Sequence, residues 1–392
     1  MSSVPLRVTV LDPALDQHAP MWGDARSGWL PAGAAWMGLL TAAGVPVRGT
    51  SDPTAIDDAG LLVVGDPDAT PEVPDRARRA CRPILTGPPP NDPVAALAAV
   101  RDTLGALVRP DLRGVLLLRL DDPGAAVRRY LKGWAHTDVS PEAWSALAAR
   151  LRGFGRISIF CCPGWVDVKG AVRSSRDVNP TEWAALDDAV SAGIADLECH
   201  GYTHVHPDTT AWAAAPDRHD APEWYREMWP PREPEEPSVN AQARIIAAWQ
   251  AACGQATTLV APGEAWGLNT IAAARRQGLR LFTSWGVCRL DLAVPTWSVG
   301  IASPYLDAPD PSWLASGLPA IGYWHDRDMA VHGPAWVGEQ LDAWRDCGAT
   351  RAWAFSDLLR AYQPPIDAAL VDGRVAVRRR PSLPLIVERA GG

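Results

Sequence analysis

Two polar motifs, about 80 residues apart, close apolar runs and carry side chains that could bind a metal ion. The first is the pair Asp121-Asp122, and the second is His200-Gly-Tyr-Thr-His204. One carboxylate and two imidazoles form a three-ligand set for a divalent cation that leaves one coordination position open. Because neighbouring residues of a strand point to opposite faces, one aspartate could bind the cation while the other acts as a base on water. The pattern favours a hydrolase.

Each motif also has a purely structural explanation. Asp121-Asp122 could form an ordinary turn at a strand end, and His200 and His204 could be hydrogen-bonded histidines that bind no metal. Glu198 shares a strand face with His200 and could hydrogen-bond a ligand or form a buried ion pair. The occurrence of both motifs at the ends of apolar strands favours the metal site over these explanations.

Strand and helix patterns alternate through residues 113–360 and predict an α/β fold that positions both motifs. Seven or eight β/α units over this length are typical of a distorted (β/α) barrel, in which chemistry occurs at the carboxyl ends of the strands. The predicted strands are 115–122, 156–162, 196–200, 257–261, 280–285, 295–301, 318–325 and 350–355. The predicted helices are 141–152, 180–193, 239–252, 268–277 and 335–346.

Smaller units are predicted on either side of the barrel. Residues 1–108 alternate strand and helix and resemble a small flavodoxin-like or glutamine-amidotransferase-like parallel α/β domain. This segment contains no Gly-x-Gly-x-x-Gly and no cysteine at a strand–helix turn, so we expect a structural or substrate-shaping role without a catalytic motif of its own. Residues 361–392 contain Asp372-Gly373 between alternating strands and predict a short C-terminal β-hairpin appendage.

The segment 205–237, directly after His204, interrupts the barrel pattern. It is rich in proline, acidic residues and tryptophan, and a loop of this length in a compact domain is usually functional or disordered. Trp212, Trp224 and Trp229 argue against plain disorder, because aromatic side chains need a surface to pack against. We predict a lid or pocket wall whose tryptophans contact the substrate.

Composition excludes several classes of protein. The 392-residue chain has a net charge of −8, which argues against a nucleic-acid surface. No segment approaches the roughly 20 apolar residues of a membrane span, and the start lacks the pattern of a signal peptide. The seven cysteines form no Cys-x-x-Cys and fit reduced thiols. We therefore expect a cytoplasmic protein with a small-molecule or sugar substrate and no nucleic-acid or membrane partner; the oligomeric state is left open.

Four motifs in order resemble those of the polysaccharide deacetylases, the NodB-homology or carbohydrate esterase family 4 proteins of the glycoside hydrolase/deacetylase barrel superfamily. The resemblance covers roughly 113–358. The matching segments are Arg119-Leu-Asp-Asp-Pro-Gly124, His200-Gly-Tyr-Thr-His204, Ala261-Pro-Gly-Glu-Ala-Trp-Gly267 and Ile321-Gly-Tyr-Trp-His325.

The resemblance implies a role for each motif residue. Asp121 would be the general base and His325 the general acid. A divalent metal ion, with zinc as the expected ion, would be held by Asp122, His200 and His204. The third motif would contribute substrate-binding residues, which are Pro262, Gly263 and Trp266, beside the tryptophans of the insertion.

The chain departs from the family pattern in its third motif. The arginine that braces the catalytic base in the family is Ala261 here. Arg119 lies two residues before Asp121 on the same strand face, and we predict that it takes over this bracing role. The first motif also has Pro123-Gly124 in inverted order, and an extra loop follows at about 124–140.

These observations predict a metal-dependent hydrolase of a C–N amide bond. The expected reaction is N-deacetylation of a soluble acetamido sugar or an N-acylated biosynthetic intermediate. Two alternatives remain open at this point. One is a different amidase of the superfamily that opens a cyclic ureide or imide, and the other is a metal-free, non-catalytic barrel that binds carbohydrate.

Overall fold

The computed structural model describes most of the chain, including both motifs and the core of the predicted barrel. Parts of the insertion 205–237 and of the predicted strand 295–301 lie outside the described residues. Among the described residues, no helix combines the length and the apolar character that crossing a membrane would need. The described segments are 3–15, 32–54, 60–79, 83–131, 134, 138–221, 224–230, 235–284, 286–292, 295–297, 301 and 310–391.

The N-terminal segment contains a small parallel sheet with helices packed against it. Strands β2 and β4 are buried at every residue, as central strands covered on both faces should be. The strand order is β3-β2-β4-β5. The elements in chain order are β1 Ser3–Pro5, β2 Val8–Leu11, α1 Ala32–Ala42, β3 Val47–Thr50, β4 Leu61–Val64, α2 Glu72–Arg79, β5 Ile84–Thr86, α3 Pro93–Leu104 and β6 Ala106–Pro110.

The central part of the chain forms a curled nine-stranded sheet with helices outside it. The strands are β7 Val115–Asp121, β8 Ile157–Cys161, β11 Ala195–Cys199, β12 Thr258–Leu259, β13 Leu281–Thr283, β14 Val287–Arg289, β15 Thr296–Trp297, β16 Ala320–His325 and β17 Arg351–Trp353; a separate hairpin contains β9 Gly164–Val166 and β10 Val172–Ser174. The helices are α4 Val127–Tyr130, α5 Pro141–Leu151, α6 Ser175–Val178, α7 Pro180–Ser191, α8 Thr209–Ala213, α9 Val239–Cys253, α10 Leu268–Arg276, α11 Pro311–Ala315, α12 Asp326–His332, α13 Pro334–Asp346 and α14 Phe355–Ala361, with 3-10 turns at Pro216–Arg218 and Pro262–Glu264.

Seven strands of this sheet are parallel, which confirms the predicted distorted (β/α) barrel. Strand β17 pairs with the first residues of β7, whereas β8 pairs with the last ones, so β17 lies between β7 and β8 at their amino ends. The far edge departs from the prediction, because β14 pairs antiparallel with both β13 and β15. The sequence pattern did not predict β14, because three residues are too few to show an alternating pattern.

Strand β7 shows how the barrel aims its polar residues inward. Leu118 and Leu120 pack in the cluster beneath the surrounding helices, whereas Leu117 packs in the cluster that contains the inward residues of neighbouring strands. Arg119 and Asp121 share the face of Leu117 because side chains alternate along a strand. The same apolar run that builds the barrel therefore points two charged side chains into it.

The C-terminal residues form the predicted short β appendage, and they pair with the N-terminal segment. The strands are β18 Asp367–Val371, β19 Arg374–Arg379 and β20 Leu385–Arg389. Strand β18 pairs with β1 and β20 pairs with β6, both antiparallel. Asp372 and Gly373 join β18 to β19 with φ angles of 48° and 76°. Positive φ at both turn residues is the requirement of a tight type I′ hairpin, which is why Asp-Gly predicted one.

Candidate active site

A cavity of about 300 Å³ lies at the carboxyl ends of the barrel strands and collects the predicted chemical residues. Asp121 ends strand β7 and Asp122 directly follows it, and the loop after β11 contributes His200 and His204. The turn after β12 contributes Gly263 and Glu264 to the cavity lining, and the end of β16 contributes His325. Its lining residues are Arg119, Asp121, Asp122, Leu131, Trp134, His200, His204, Asp220, Tyr225, Ala261, Gly263, Glu264 and His325.

The three predicted metal ligands all line this cavity and lie close together. Their ligand atoms all lie within 4.8 Å of one another, and all three residues are buried. His200 Nε2 lies 3.1 Å from Asp122 Oδ1, and His204 Nε2 lies 3.2 Å from the same oxygen. His200 Nδ1 lies 3.1 Å from the carbonyl oxygen of Val260. That contact orients the imidazole, and it leaves Nε2 free to act as a ligand.

Two of these ligands adopt an unusual backbone conformation. Asp122 has a φ of 77° and His204 a φ of 62°, both in the left-handed region. Residues with a Cβ enter this region at a cost, and they do so at turns and at functional sites, where surrounding contacts hold them. The left-handed step at Asp122 ends the strand pairing of β7 and lets the side chain turn toward the two imidazoles.

The donor set fits a divalent cation. Asp122 Oδ2 is buried and has no hydrogen-bond partner among the described residues. Leaving a buried carboxylate oxygen unpaired costs about 1–3 kcal/mol or more. A cation between Asp122, His200 and His204 would satisfy this oxygen. The nitrogen and oxygen donors are those that zinc accepts, although other first-row metals use them too.

Arg119 forms a buried ion pair with Asp121 at the side of the metal-ligand cluster. Its Nε lies 2.9 Å from both carboxylate oxygens of Asp121, and its Nη2 lies 2.5 Å from Oδ2. The same Nη2 donates to Glu264 at 3.0 Å, and Nη1 donates to the carbonyl oxygen of Ser284 at 2.9 Å. The ring of Tyr323 lies 4.8 Å from the guanidinium carbon. These contacts hold the Asp121 carboxylate in a single orientation.

His325 closes the other side of the cavity at the end of β16. Its Nδ1 lies 3.7 Å from Asp328 Oδ2, and its ring makes an edge contact with Trp134 at 5.7 Å between centroids. Burial opposes protonation, but Asp328, Asp122 and Asp121 outweigh it and raise the pKa of His325 to about 9. The imidazole is therefore protonated at neutral pH when no cation neutralises the aspartates, and it could donate a proton.

We expect the metal-free protein to lose stability between about pH 6.5 and pH 9, because the pKa of His325 is raised from 6.5 to about 9 by folding. The stabilisation from protonated His325 is complete below the unfolded-state pKa and disappears as pH rises through the folded-state pKa. Urea midpoints measured on chelator-treated protein across this range test the effect. His325→Gln should flatten the decline, and an equally steep decline in that variant would contradict the assignment.

The insertion 205–237 contributes Asp220 and Tyr225 to the cavity wall, but its predicted tryptophans do not line that wall. Trp212 and Trp224 are buried in the cluster beneath the insertion, where Trp212 stacks on His219 at 4.0 Å. Trp229 is half-buried outside the cavity lining. These two tryptophans thus pack the insertion against the segments that follow β7 and β8.

The third motif is also placed differently from the expectation. Trp266 is buried, 4.5 Å from the ring of Phe282, and Pro262 is buried outside the cavity lining, whereas Gly263 does line the cavity. The sequence motifs did not identify Glu264, which accepts hydrogen bonds from Arg119 and from the hydroxyl of Ser284. They also indicated no role for Trp134, which lines the cavity. The acidic side chain within the third motif was the one available signal for Glu264.

Comparisons with known proteins give similarity in structure but not in sequence. No protein-family model and no curated protein matches the chain. A putative polysaccharide deacetylase from Mycobacterium smegmatis matches with 13% identity and a TM-score of 0.38, over 64% of this chain and 90% of that one. The Xyl-CE4 domain of a xylanase from the hindgut metagenome of Trinervitermes trinervoides gives 12% identity and 0.33, over 64% and 94%. BA3943, a CE4 family pseudoenzyme from Bacillus anthracis, gives 12% and 0.35, over 64% and 66%.

Identities and TM-scores this low assign no activity to the chain. The order of the four strand-end motifs and the cluster that they form are properties of the chain itself. In both its motifs and its structural matches, the chain is similar to the carbohydrate esterase family 4 polysaccharide deacetylases.

Proposed function

We propose that the protein is a metal-dependent hydrolase of C–N amide bonds. The observation that supports this most directly is the buried cluster of Asp122, His200 and His204, with a second carboxylate and a protonatable imidazole in the same cavity. Metal-dependent hydrolysis needs a cation site with an open position, a base for water and an acid for the leaving group. The cavity contains a candidate for each of these roles.

Asp122, His200 and His204 would hold the cation. When bound there, a divalent cation supplies a Lewis acid that polarises the amide carbonyl and makes water more acidic. The chain supplies a low-dielectric surrounding, because all three side chains are buried. It also fixes the imidazole of His200 through the carbonyl oxygen of Val260.

Two further side chains would move protons. Asp121 faces the cavity with its carboxylate held by Arg119, so it can accept a proton from the attacking water without reorienting. His325 lies in the same cavity, where a protonated imidazole would donate a proton to the departing nitrogen. In this scheme Arg119 is a positioning residue, since it acts on the substrate only through Asp121.

The proposed reaction is N-deacetylation of a soluble acetamido sugar or of an N-acylated biosynthetic intermediate. A cavity of about 300 Å³ suits a small acyl group with part of one sugar-sized ring. Trp134 and Tyr225 offer aromatic surfaces, and Asp220 and Glu264 offer acceptors for hydroxyl or amino groups. The protein can be incubated with N-acetylated metabolites, and an enzyme-coupled assay can measure the acetate that is released. Acetate release would support this substrate class, and its absence from every metabolite would contradict it.

Metal binding itself is the first prediction of the proposal. Chelator-treated protein should bind about one equivalent of Zn²⁺ with ligand distances near 2.0–2.2 Å. His200→Ala should weaken binding by more than about 100-fold, because even residues that only hydrogen-bond to a metal ligand contribute about 10–100-fold. Competition with a chromophoric chelator measures both affinities.

His206→Ala is the matched control for His200→Ala. His206 is an imidazole two residues beyond His204, and it contacts Trp224 at 5.0 Å and accepts from the backbone N–H of Asp208. It lies outside the Asp122–His200–His204 cluster. Its removal should leave Zn²⁺ affinity unchanged within about twofold. Equal losses in the two variants, or no binding by the wild type, would contradict the proposed metal site.

A further inference from the structure

Glu227 is a buried carboxylate of the insertion that accepts hydrogen bonds from the loop carrying the metal ligands. Its Oε2 accepts from the backbone N–H groups of Tyr202 at 2.7 Å, Thr203 at 3.0 Å and His204 at 3.1 Å. Its Oε1 accepts from the Thr203 hydroxyl at 2.9 Å and from the Thr203 N–H at 3.1 Å. The residue is 4% exposed. Three consecutive N–H groups therefore converge on one carboxylate.

The loop is shaped around this carboxylate. Gly201 has a φ of 70°, and a Cβ at this position would lie 2.3 Å from Glu227 Oε2. A turn of this kind points successive N–H groups into one concavity and forms an anion-binding nest. Both sides of the interaction are therefore specific, since the nest needs glycine at 201 and an anion at the position of Glu227.

We propose that Glu227 is a positioning residue that holds His204 in its metal-binding place and so links the insertion to the metal site. This inference rests on the proposed metal function. His204 has a left-handed backbone with a φ of 62°, which the chain must hold by other contacts. The hydrogen bond from its own N–H to Glu227 is such a contact.

The hydrogen bonds of Glu227 couple the conformation of the insertion to that of the metal-ligand loop. Tyr225 lines the cavity two residues before Glu227, so the anchor and the cavity wall belong to one short segment. If ordering this segment favours metal binding, then metal binding must favour its ordering by the same factor. The cavity wall next to the substrate would then form most completely when the cation is present.

Glu227→Gln tests the role with Glu236→Gln as a matched control. Glu236 is another carboxylate of the insertion, and it accepts from the N–H groups of Asn269 at 2.9 Å and Thr270 at 2.8 Å, at the start of α10. Both variants lose acceptors for backbone N–H groups, but only Glu227 contacts the metal-ligand loop. Co²⁺ is the probe, because its visible spectrum reports ligand geometry as well as occupancy.

We expect Glu227→Gln to weaken Co²⁺ binding by about 10–100-fold and to change the visible spectrum, as loss of a partner that orients a ligand does. Glu236→Gln should bind Co²⁺ within about twofold of the wild type even if its thermal midpoint falls. Wild-type affinity and spectrum in Glu227→Gln would overturn the positioning role. No Co²⁺ or Zn²⁺ binding by the wild type would instead overturn the proposed function on which this role rests.

A measurement on the wild type keeps the inference testable if Glu227→Gln does not fold. Amide hydrogen exchange with and without Zn²⁺ should show slower exchange in peptides covering 224–230 when the ion is bound. Peptides covering 241–253, in α9, should change much less. Equal exchange of the 224–230 peptides in both conditions, with the ion shown to be bound, would overturn the linkage.

Discussion

Asp121→Asn is expected to lower kcat by at least about 100-fold while it leaves metal affinity within a few-fold of the wild type. A positioned acid–base group contributes about 100–10,000-fold, and an amide cannot take the proton from water. Asp121 lies beside the metal-ligand cluster but is not part of it, so its removal should affect the reaction and not the occupancy of the site. Steady-state kinetics and a Zn²⁺ titration on the same preparation measure the two effects.

Asp122→Asn is the matched comparison, because it makes the same chemical change one residue along the chain. Asp122 carries the oxygen that both imidazoles approach, at 3.1 and 3.2 Å, so this variant should lose metal affinity together with activity. Retained metal affinity in Asp121→Asn and lost metal affinity in Asp122→Asn would identify Asp121 as the base and Asp122 as the ligand. Wild-type turnover in Asp121→Asn would show that another group removes the proton.

The barrel and the candidate metal cluster were predictable because their signals are local. The apolar run before Asp121 has the length of a buried strand, and His200 and His204 follow a second strand, in which apolar residues alternate with Asp196 and Glu198. Carboxyl ends of parallel strands meet at one end of a barrel, so motifs at two strand ends were expected to converge. The structure brings Asp122, His200 and His204 together as that rule requires.

The rest of the site depends on contacts between distant segments, which leave little trace in local patterns. Glu264 meets Arg119 across 145 positions of sequence, and Glu227 folds back onto the loop that precedes its own insertion. The tryptophans were misplaced for a related reason. A Trp-rich segment must bury its rings somewhere, and sequence alone does not tell a substrate-facing ring from Trp212, which packs against the segments that follow β7 and β8.

The pairing of the C-terminal strands with β1 and β6 could not be predicted from the sequence either. The Asp372-Gly373 turn predicted the hairpin, since turn chemistry is local. The partner of an edge strand is chosen by the edges that remain open elsewhere, and these belong to the N-terminal segment. A strand that pairs across more than 270 residues, as β20 does with β6, shows no sign of its partner in its own sequence.

Arg119→Met should lower the free energy of unfolding by about 3–5 kcal/mol, the typical cost of removing one partner from a buried ion pair. Arg119 and Asp121 are each about 1% exposed, so Asp121 would be left in a low-dielectric site without its cationic partner. The carbonyl oxygen of Ser284 would lose its donor as well. Urea denaturation of the two proteins measures the difference.

The exposed pair between Arg113 and Asp111 provides the matched control. Arg113 donates to Asp111 through two nitrogens at 2.9 and 2.6 Å, much as Arg119 does to Asp121, but its side chain is 60% exposed. Arg113→Met should therefore cost no more than about 1 kcal/mol. Similar losses in Arg119→Met and Arg113→Met would mean that burial does not strengthen the Arg119–Asp121 pair.

The double variant Arg119→Met/Asp121→Asn separates the Arg119–Asp121 interaction energy from the contributions of the other contacts of Arg119. If the main cost of Arg119→Met is the unpaired charge of Asp121, then removing that charge should recover much of the lost stability. The double variant should then be more stable than the sum of the single losses predicts, by a coupling energy of about 0.5–3 kcal/mol. Strict additivity would instead assign the stabilising effect of Arg119 to Glu264 and Ser284, and Asp121 would need another source of its fixed orientation.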